Sequence, residues 1–175
     1  MKLFKKLAAV ALAAVLALAM VGCGSSASLK DELLKVAMDQ MTVRGGTANH
    51  SKELDALAAK LVQEADKVAG QDAYKGKDVK KILTADDVVK AAGITAKDAY
   101  ILNAAPNVQF KSSGTYMELV KMEWMMKAVR SETSGSNKAV KIGEITLGDN
   151  VDVGVAMGKI GGKEYIVILY ANHAA

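Results

Sequence analysis

The stretch that most constrains this chain is residues 140–171, the only long region whose side chains insist on β structure. Val140-Lys141-Ile142-Gly143-Glu144-Ile145-Thr146-Leu147 alternates apolar and polar residues, and Val151-Asp152-Val153-Gly154-Val155-Ala156-Met157 alternates again. Tyr165-Ile166-Val167-Ile168-Leu169-Tyr170 is a continuous apolar run. Period-two alternation marks a strand with one wet face, whereas an unbroken β-branched and aromatic run marks one covered on both sides. Gly148-Asp149-Asn150 and Gly158-Lys159-Ile160-Gly161-Gly162 supply joints that tolerate positive φ. The simplest reading is an antiparallel meander of three strands with residues 165–170 the most buried.

The opposite end of the chain reads as an address. Lys2, Lys5 and Lys6 give a cationic start, and residues 7–20 form an apolar run of fourteen residues. At about 1.5 Å per residue that run reaches roughly 21 Å, short of the roughly 30 Å hydrocarbon core, so it fits an export signal rather than a spanning helix. Met20-Val21-Gly22-Cys23 closes it. A small residue before a lone cysteine, followed by Gly24-Ser25-Ser26, resembles the bacterial lipobox, although Met20 stands where that motif usually has Leu. The expectation is a lipoprotein signal peptide over residues 1–22, a lipid on Cys23, and a polar tether over residues 23–28 that holds a single domain, residues 29–175, at the extracytoplasmic side of the cell membrane.

Removing residues 1–22 leaves 153 of the 175 residues and takes three lysines from the 23 basic residues, so 20 basic side chains face 19 acidic ones. The sequence pI near 9.0 therefore belongs mostly to the signal, and no basic nucleic-acid surface is indicated. Cys23 is the only cysteine, so once it is lipidated no thiol is left for a disulfide, a metal site or a nucleophile. Packing alone must stabilise the domain, and its length suffices.

Between these ends the pattern predicts helices. Leu33, Leu34, Ala37, Met38 and Met41 set a helix over residues 29–43, broken by the loop Arg44-Gly45-Gly46-Thr47-Ala48-Asn49-His50. Ser51 caps a second helix whose stripe is Leu54, Leu57, Ala58, Leu61, Val62 and Ala65, ending at Gly70. Residues 71–81 read as a polar loop. Thr84 opens a short helix as a capping-box variant, and Gly93 terminates it. Residues 99–104 read as a strand stopped by Pro106, residues 108–114 as loop, and residues 115–130 as a helix opened by a second capping box, Thr115 with Glu118. Glu123, Lys127 and Arg130 share one narrow face of that last helix and most of the remaining circumference is apolar, which implies burial. Residues 131–138 form a polar connection into the sheet. The order predicts an α+β fold, a three-layer α-β-α sandwich with a small, mainly antiparallel sheet.

Several short pieces together resemble the CAP superfamily, also called SCP-like: cysteine-rich secretory, allergen and pathogenesis-related proteins with many bacterial single-domain members. Arg44-x-Gly46 followed by Glu53-Leu54-Asp55-Ala56-Leu57-Ala58 is similar to that family's first two helices. Ala92-Gly93-Ile94 with Ile101-Leu102-Asn103-Ala104-Ala105 is similar to the stretch running into its Glu-Asn-Ile-Ala motif, and Val120-x-x-x-Trp124-Met125 to its central Trp-Met helix. Val151-x-Val153-Gly154-Val155-Ala156 with Lys163-x-Tyr165-x-Val167-x-Leu169 is similar to its closing hairpin. The resemblance implies a secreted domain that binds lipids, metals or other proteins. It also implies a lost metal tetrad, because Leu102 stands where the family has Glu, Arg130 stands where it has His, and no histidine lies between His50 and His173.

The residues themselves offer little chemistry. A catalytic zinc wants about three converging ligands, and His50 in a loop with His173 at the terminus supplies none of that convergence. No Gly-x-Ser-x-Gly elbow occurs, and the glycines of residues 158–162 lack the strand-to-helix context of a phosphate cradle. The candidate pocket is therefore Glu118 beside Asn103, with Trp124 and Arg130, between the last helix and the sheet. Met117, Met122, Met125 and Met126 around Trp124 are either core filling or an adaptable groove. No catalytic residue, metal or cofactor is assigned. The expected function is a non-catalytic, lipid-anchored binding or interaction protein whose partners are the membrane and a lipid, peptide or envelope-protein ligand. The alternatives are a cell-envelope hydrolase acting through Glu118 and a structural envelope lipoprotein of unrelated fold.

Overall fold

In the computed structural model, which describes residues 26–110, 114–129 and 138–174, the frame is a five-stranded mixed sheet. The expected signal, Cys23 and Arg130 lie outside the described residues. The elements run α1 (Ser26–Val43), β1 (Thr47–His50), α2 (Lys52–Ala69), α3 (Val79–Leu83), α4 (Asp86–Ala91), β2 (Tyr100–Pro106), α5 (Thr115–Val129), β3 (Val140–Ile142), β4 (Asn150–Ile160) and β5 (Lys163–Asn172). The chain is α+β.

β4 and β5 form the hairpin that the alternation and glycines imply. Ile160 pairs with Lys163 across a two-residue turn, with φ of 59° at Gly161 and 79° at Gly162. Positive φ at both central residues is what the tightest right-twisting hairpin demands, and glycine supplies it without strain. The rest of the expected meander is absent. Strand order is β1-β4-β5-β2-β3, so β3 pairs with β2 at one edge and β4 lies beyond β5. The alternation of residues 140–147 survives only to Ile142, because the backbone turns at Gly143, φ 71°, where any Cβ would stand 2.5 Å from the Asp98 carbonyl oxygen. Ile145 is buried without being in a strand. It closes the end of the core as the chain crosses from β3 to β4.

A second correction concerns Thr47 to His50, expected as loop. α1 ends in a tight turn at Gly45, φ 84°, and the chain then pairs in parallel with β4, Thr47 opposite Asn150 and His50 opposite Val153. The sheet is consequently mixed, with one parallel and three antiparallel pairings among the described residues. Two further boundaries move. α1 begins at Ser26, inside the expected tether, and α3 occupies the end of the expected polar loop. Thr84 caps nothing: its hydroxyl donates to the Lys80 carbonyl, and α4 starts after Ala85 with no side-chain cap.

Alternate residues of the central strands feed two apolar clusters. Ile101, Val151, Val153, Val155, Ile166, Ile168 and Tyr170 pack with Leu33, Val36, Ala37 and Met41 of α1 and with Met125, Ala128 and Val129 of α5. Leu102, Ala104, Ala156, Val167 and Leu169 pack with Ala58, Leu61, Val62 and Ala65 of α2 and with α3 and α4. Both faces of β4 are therefore covered, not one. α2 lies close because Gly154 and Gly158 lack side chains; a Cβ at Gly154 would fall 2.5 Å from the Asp55 nitrogen. The expectation of a mostly buried α5 fails: only Met125, Ala128 and Val129 are buried, while Tyr116, Leu119 and Met122 are 76, 65 and 48 % exposed. α5 rests on α1 and β2 along one narrow stripe, so its apolar composition exceeds its contacts.

Candidate functional site

The four residues expected to share a pocket do not converge. Glu118 is exposed on the first turn of α5, and its backbone amide, not its side chain, makes the helical bond to Gly114. Asn103 is 1 % exposed and already engaged: its Nδ2 donates to the Ala128 carbonyl, and its Oδ1 accepts from the Ala104 amide at 3.0 Å. Trp124 is half-buried, with the Phe110 ring edge-on at 5.6 Å. Of the methionines, Met125 is core, Met117 and Met126 are half-buried and Met122 is exposed, so neither a groove nor a pure core describes them.

Asn103 has a structural task. The last carbonyls of a helix lack intrahelical partners, and those of α5 are met from the sheet: Ala128 by Asn103, and Val129 by the Tyr170 hydroxyl at 2.8 Å. Burial pushes the Tyr170 hydroxyl far above the ordinary tyrosine range, with Arg44 opposing in part, so this donor keeps its proton throughout the physiological range.

Asp55, which the sequence reading passed over, is the more heavily engaged group. It is 7 % exposed on the inner face of α2, in line with Ala58, Val62 and Ala65. β1 stops at His50 and its successor Ser51 donates to the Val153 carbonyl, so β4 would next offer an unanswered amide at Val155. Asp55 Oδ1 accepts from that amide at 2.7 Å, while Oδ2 accepts from Lys30 Nζ at 2.8 Å and lies 2.9 Å from His50 Nε2. One carboxylate thus joins α1, β1, α2 and β4. The signal is present in the sequence, since Asp55 stands three and seven residues before Ala58 and Val62 of the apolar stripe. His50, expected to be an idle loop residue, is part of this node. His173 is exposed as expected, yet its Nδ1 lies 2.8 Å from Asp152 Oδ1. The Asp55 cluster thus ties elements of the fold together. Among the described residues no three His, Cys, Asp or Glu side chains gather as metal ligands.

On the α2 side, Lys80 is 8 % exposed, and its Nζ donates to the Lys138 carbonyl at 2.7 Å. Burial lowers its pKa, with Asp78 opposing in part. Nearby, Tyr74 donates to Asp87 at 2.5 Å, which holds the Asp87 carboxyl below its usual range and raises Tyr74.

A space that can admit a ligand lies elsewhere, at the end of the sheet where α1 stops. A cleft of about 350 Å³ is lined by Met41, Arg44, Ile101, Lys141, Leu147 and Asp149 among others. It exists because the chain must cross under β5 and β2 between β3 and β4, and because Gly46 lets β1 pass within contact of the Asp149 backbone. Its floor is apolar and its rim carries two cations and one carboxylate.

No family model, curated protein or solved structure matches this chain. Any reading of function therefore rests on the arrangement just described.

Proposed function

We propose that the chain is a lipid-anchored extracytoplasmic binding protein, exported by residues 1–22, acylated on Cys23, and built as a three-layer α-β-α domain that takes a small ligand in the cleft at the end of α1. The observation that carries this reading is the cleft: about 350 Å³, with an apolar floor of Met41, Ile101 and Leu147 under a polar rim. Small-molecule sites have this size and this mixture of apolar walls with a few polar groups. α1 spans 18 residues, about 27 Å at 1.5 Å per residue, so the cleft lies a full helix length from the end that follows Cys23. An anchored domain held that way presents its opening away from the bilayer.

Arg44 and Gly46, which carry part of the likeness to the CAP superfamily, both line the cleft. Membership of that superfamily in a form without metal residues is part of the proposal. The second reading, hydrolysis through Glu118, gains no support, because Glu118 is exposed while Asn103 is buried beneath the end of α5.

The anionic, apolar dye anilinonaphthalene sulfonate tests the site. Its fluorescence is expected to rise on binding the intact chain, and Lys141→Glu is expected to weaken binding about tenfold, roughly 1.4 kcal/mol. Lys141 is exposed, so this change leaves the fold intact. Lys97→Glu, also exposed and outside the cleft, serves as the control. Equal affinity in the two variants removes the cleft as the site.

A further inference from the structure

The start of α5 and the start of α1 lie at the same end of the domain. Lys121 of α5 pairs with Glu32 of α1, and further along both helices Gln40 Nε2 donates to Met126 Sδ at 3.3 Å. Both contacts advance in the same direction, so the helices run roughly parallel. Counting back from the Glu32–Lys121 pair at about 1.5 Å per residue, Ser26 and Thr115 each lie about 9 Å further out and stand near one level. Tyr116, 76 % exposed, stands at that level, and Leu119 and Met122, 65 and 48 % exposed, follow one and two turns further in. The apolar stripe then gives way to the exposed pair Glu123 and Lys127, bonded at 2.6 Å. Exposed apolar side chains on α5 are thus confined to its first two turns, the part nearest the start of α1.

The same end is where the anchor must be. Ser26 follows Cys23 by three residues, and three residues span at most about 11 Å whatever their conformation. Headgroups occupy roughly 6 Å on each side of the hydrocarbon core. A domain whose first helix starts so close to a lipidated cysteine has no room to stand clear of the membrane, and the short polar stand-off expected from the sequence is lost once α1 begins at Ser26.

We propose that the Tyr116, Leu119 and Met122 face of α5 is a membrane-contact surface that seats the domain on the phospholipid bilayer beside the Cys23 lipid. Tyrosine suits this place, with its ring in the acyl boundary and its hydroxyl among headgroups. The lipid holds the chain to the bilayer, and burying these side chains adds apolar contact that fixes how the domain sits against it. A second copy of the chain is a poorer occupant: three side chains of one helix supply a few hundred Å², well short of the roughly 1,200 Å² that stable association buries. The inference rests on the reading of Cys23 as lipidated, and the test separates the two.

The test uses the full chain purified from bacterial membranes and reconstituted in phosphatidylcholine–phosphatidylglycerol vesicles containing a doxyl-labelled lipid. Cys23 is the only cysteine, so a lipidated chain takes no maleimide dye, and Leu119→Cys provides a single labelling position where the native side chain is already exposed. Lys90→Cys, exposed on α4 across the sheet, is the reference. The expected result is dye fluorescence roughly halved by the doxyl lipid at position 119 and unchanged at position 90, as for a helix face lying about 5–10 Å into the interface. Vesicle-bound protein with no quenching at position 119, or equal quenching at both positions, overturns the contact surface while leaving lipidation standing. A native chain that takes the dye on Cys23 and does not stay with the vesicles overturns both.

Discussion

Replacing Asp55 by Ala removes the group that continues the β4 ladder where β1 ends. The Val155 amide, in a residue with no solvent exposure, loses its carboxylate acceptor, at about 1–3 kcal/mol for a stranded buried donor. The bonds from Lys30 and His50 add less, because those side chains are 31 and 35 % exposed and solvent screens them; about 0.5 kcal/mol each is a fair weight. The sum is a loss of about 3 kcal/mol, equivalent to roughly 6–12 °C in Tm for a domain of this length. Asp55→Asn keeps an oxygen for Val155 and gives up mainly the screened charge pairs, so it is expected to cost about 1 kcal/mol. Urea denaturation followed by circular dichroism measures both, and the midpoint is expected to fall with an unchanged slope. If Asp55→Ala costs under about 0.5 kcal/mol, or if Asn is as harmful as Ala, the carboxylate is not standing in for the missing strand.

Three other outcomes follow from the same geometry. Tyr170→Phe strands the Val129 carbonyl and is expected to cost about 1–3 kcal/mol, with faster amide exchange confined to the end of α5 by hydrogen-exchange mass spectrometry. Gly154→Ala forces a Cβ against the Leu54 and Asp55 backbone and is expected to cost about 3 kcal/mol or more, whereas Gly70→Ala, with open space around its Cβ, stays within about 1 kcal/mol of neutral. Lys80→Met tests burial of the ammonium. Because burial lowers the folded pKa below the ordinary 10.5, the unfolded chain binds more protons between those two values, so wild-type stability rises with pH across that window. The wild-type minus variant difference is expected to climb as pH approaches 10.5, and a flat difference in pH-dependent denaturation would contradict the burial.

How far the fold could be read from the residues depended on whether local pattern and long-range pairing agreed. The β4–β5 hairpin was legible because apolar runs and paired glycines point the same way. β1 was not, because Thr47, Asn49 and His50 have no strand pattern of their own and extend only by pairing with β4. Residues 145–147 misled in reverse, since Ile145 is apolar to close the core end and Gly143 has already turned the chain out of the sheet. α5 misleads by composition: its apolar circumference points to burial, yet a helix buries only the stripe its neighbours reach. The candidate pocket failed for a related reason. Asn103 enters the pocket through its likeness to a motif, yet a helix-capping amide explains a polar residue in that strand as well as a ligand-binding one does, and only the position of the Ala128 carbonyl distinguishes them. The cleft around Lys141 and Asp149 was invisible because it is made by a crossover that no local pattern encodes.

The reading of this chain as an anchored extracytoplasmic domain turns on one position, Cys23. Mass spectrometry of the N-terminal peptide from the protein purified out of bacterial membranes tests it directly. The account expects the mature chain to begin at Cys23 with a thioether-linked diacylglycerol and no residue from 1–22 present. A chain that retains Met1, or one cleaved elsewhere with a free Cys23 thiol, would contradict the account.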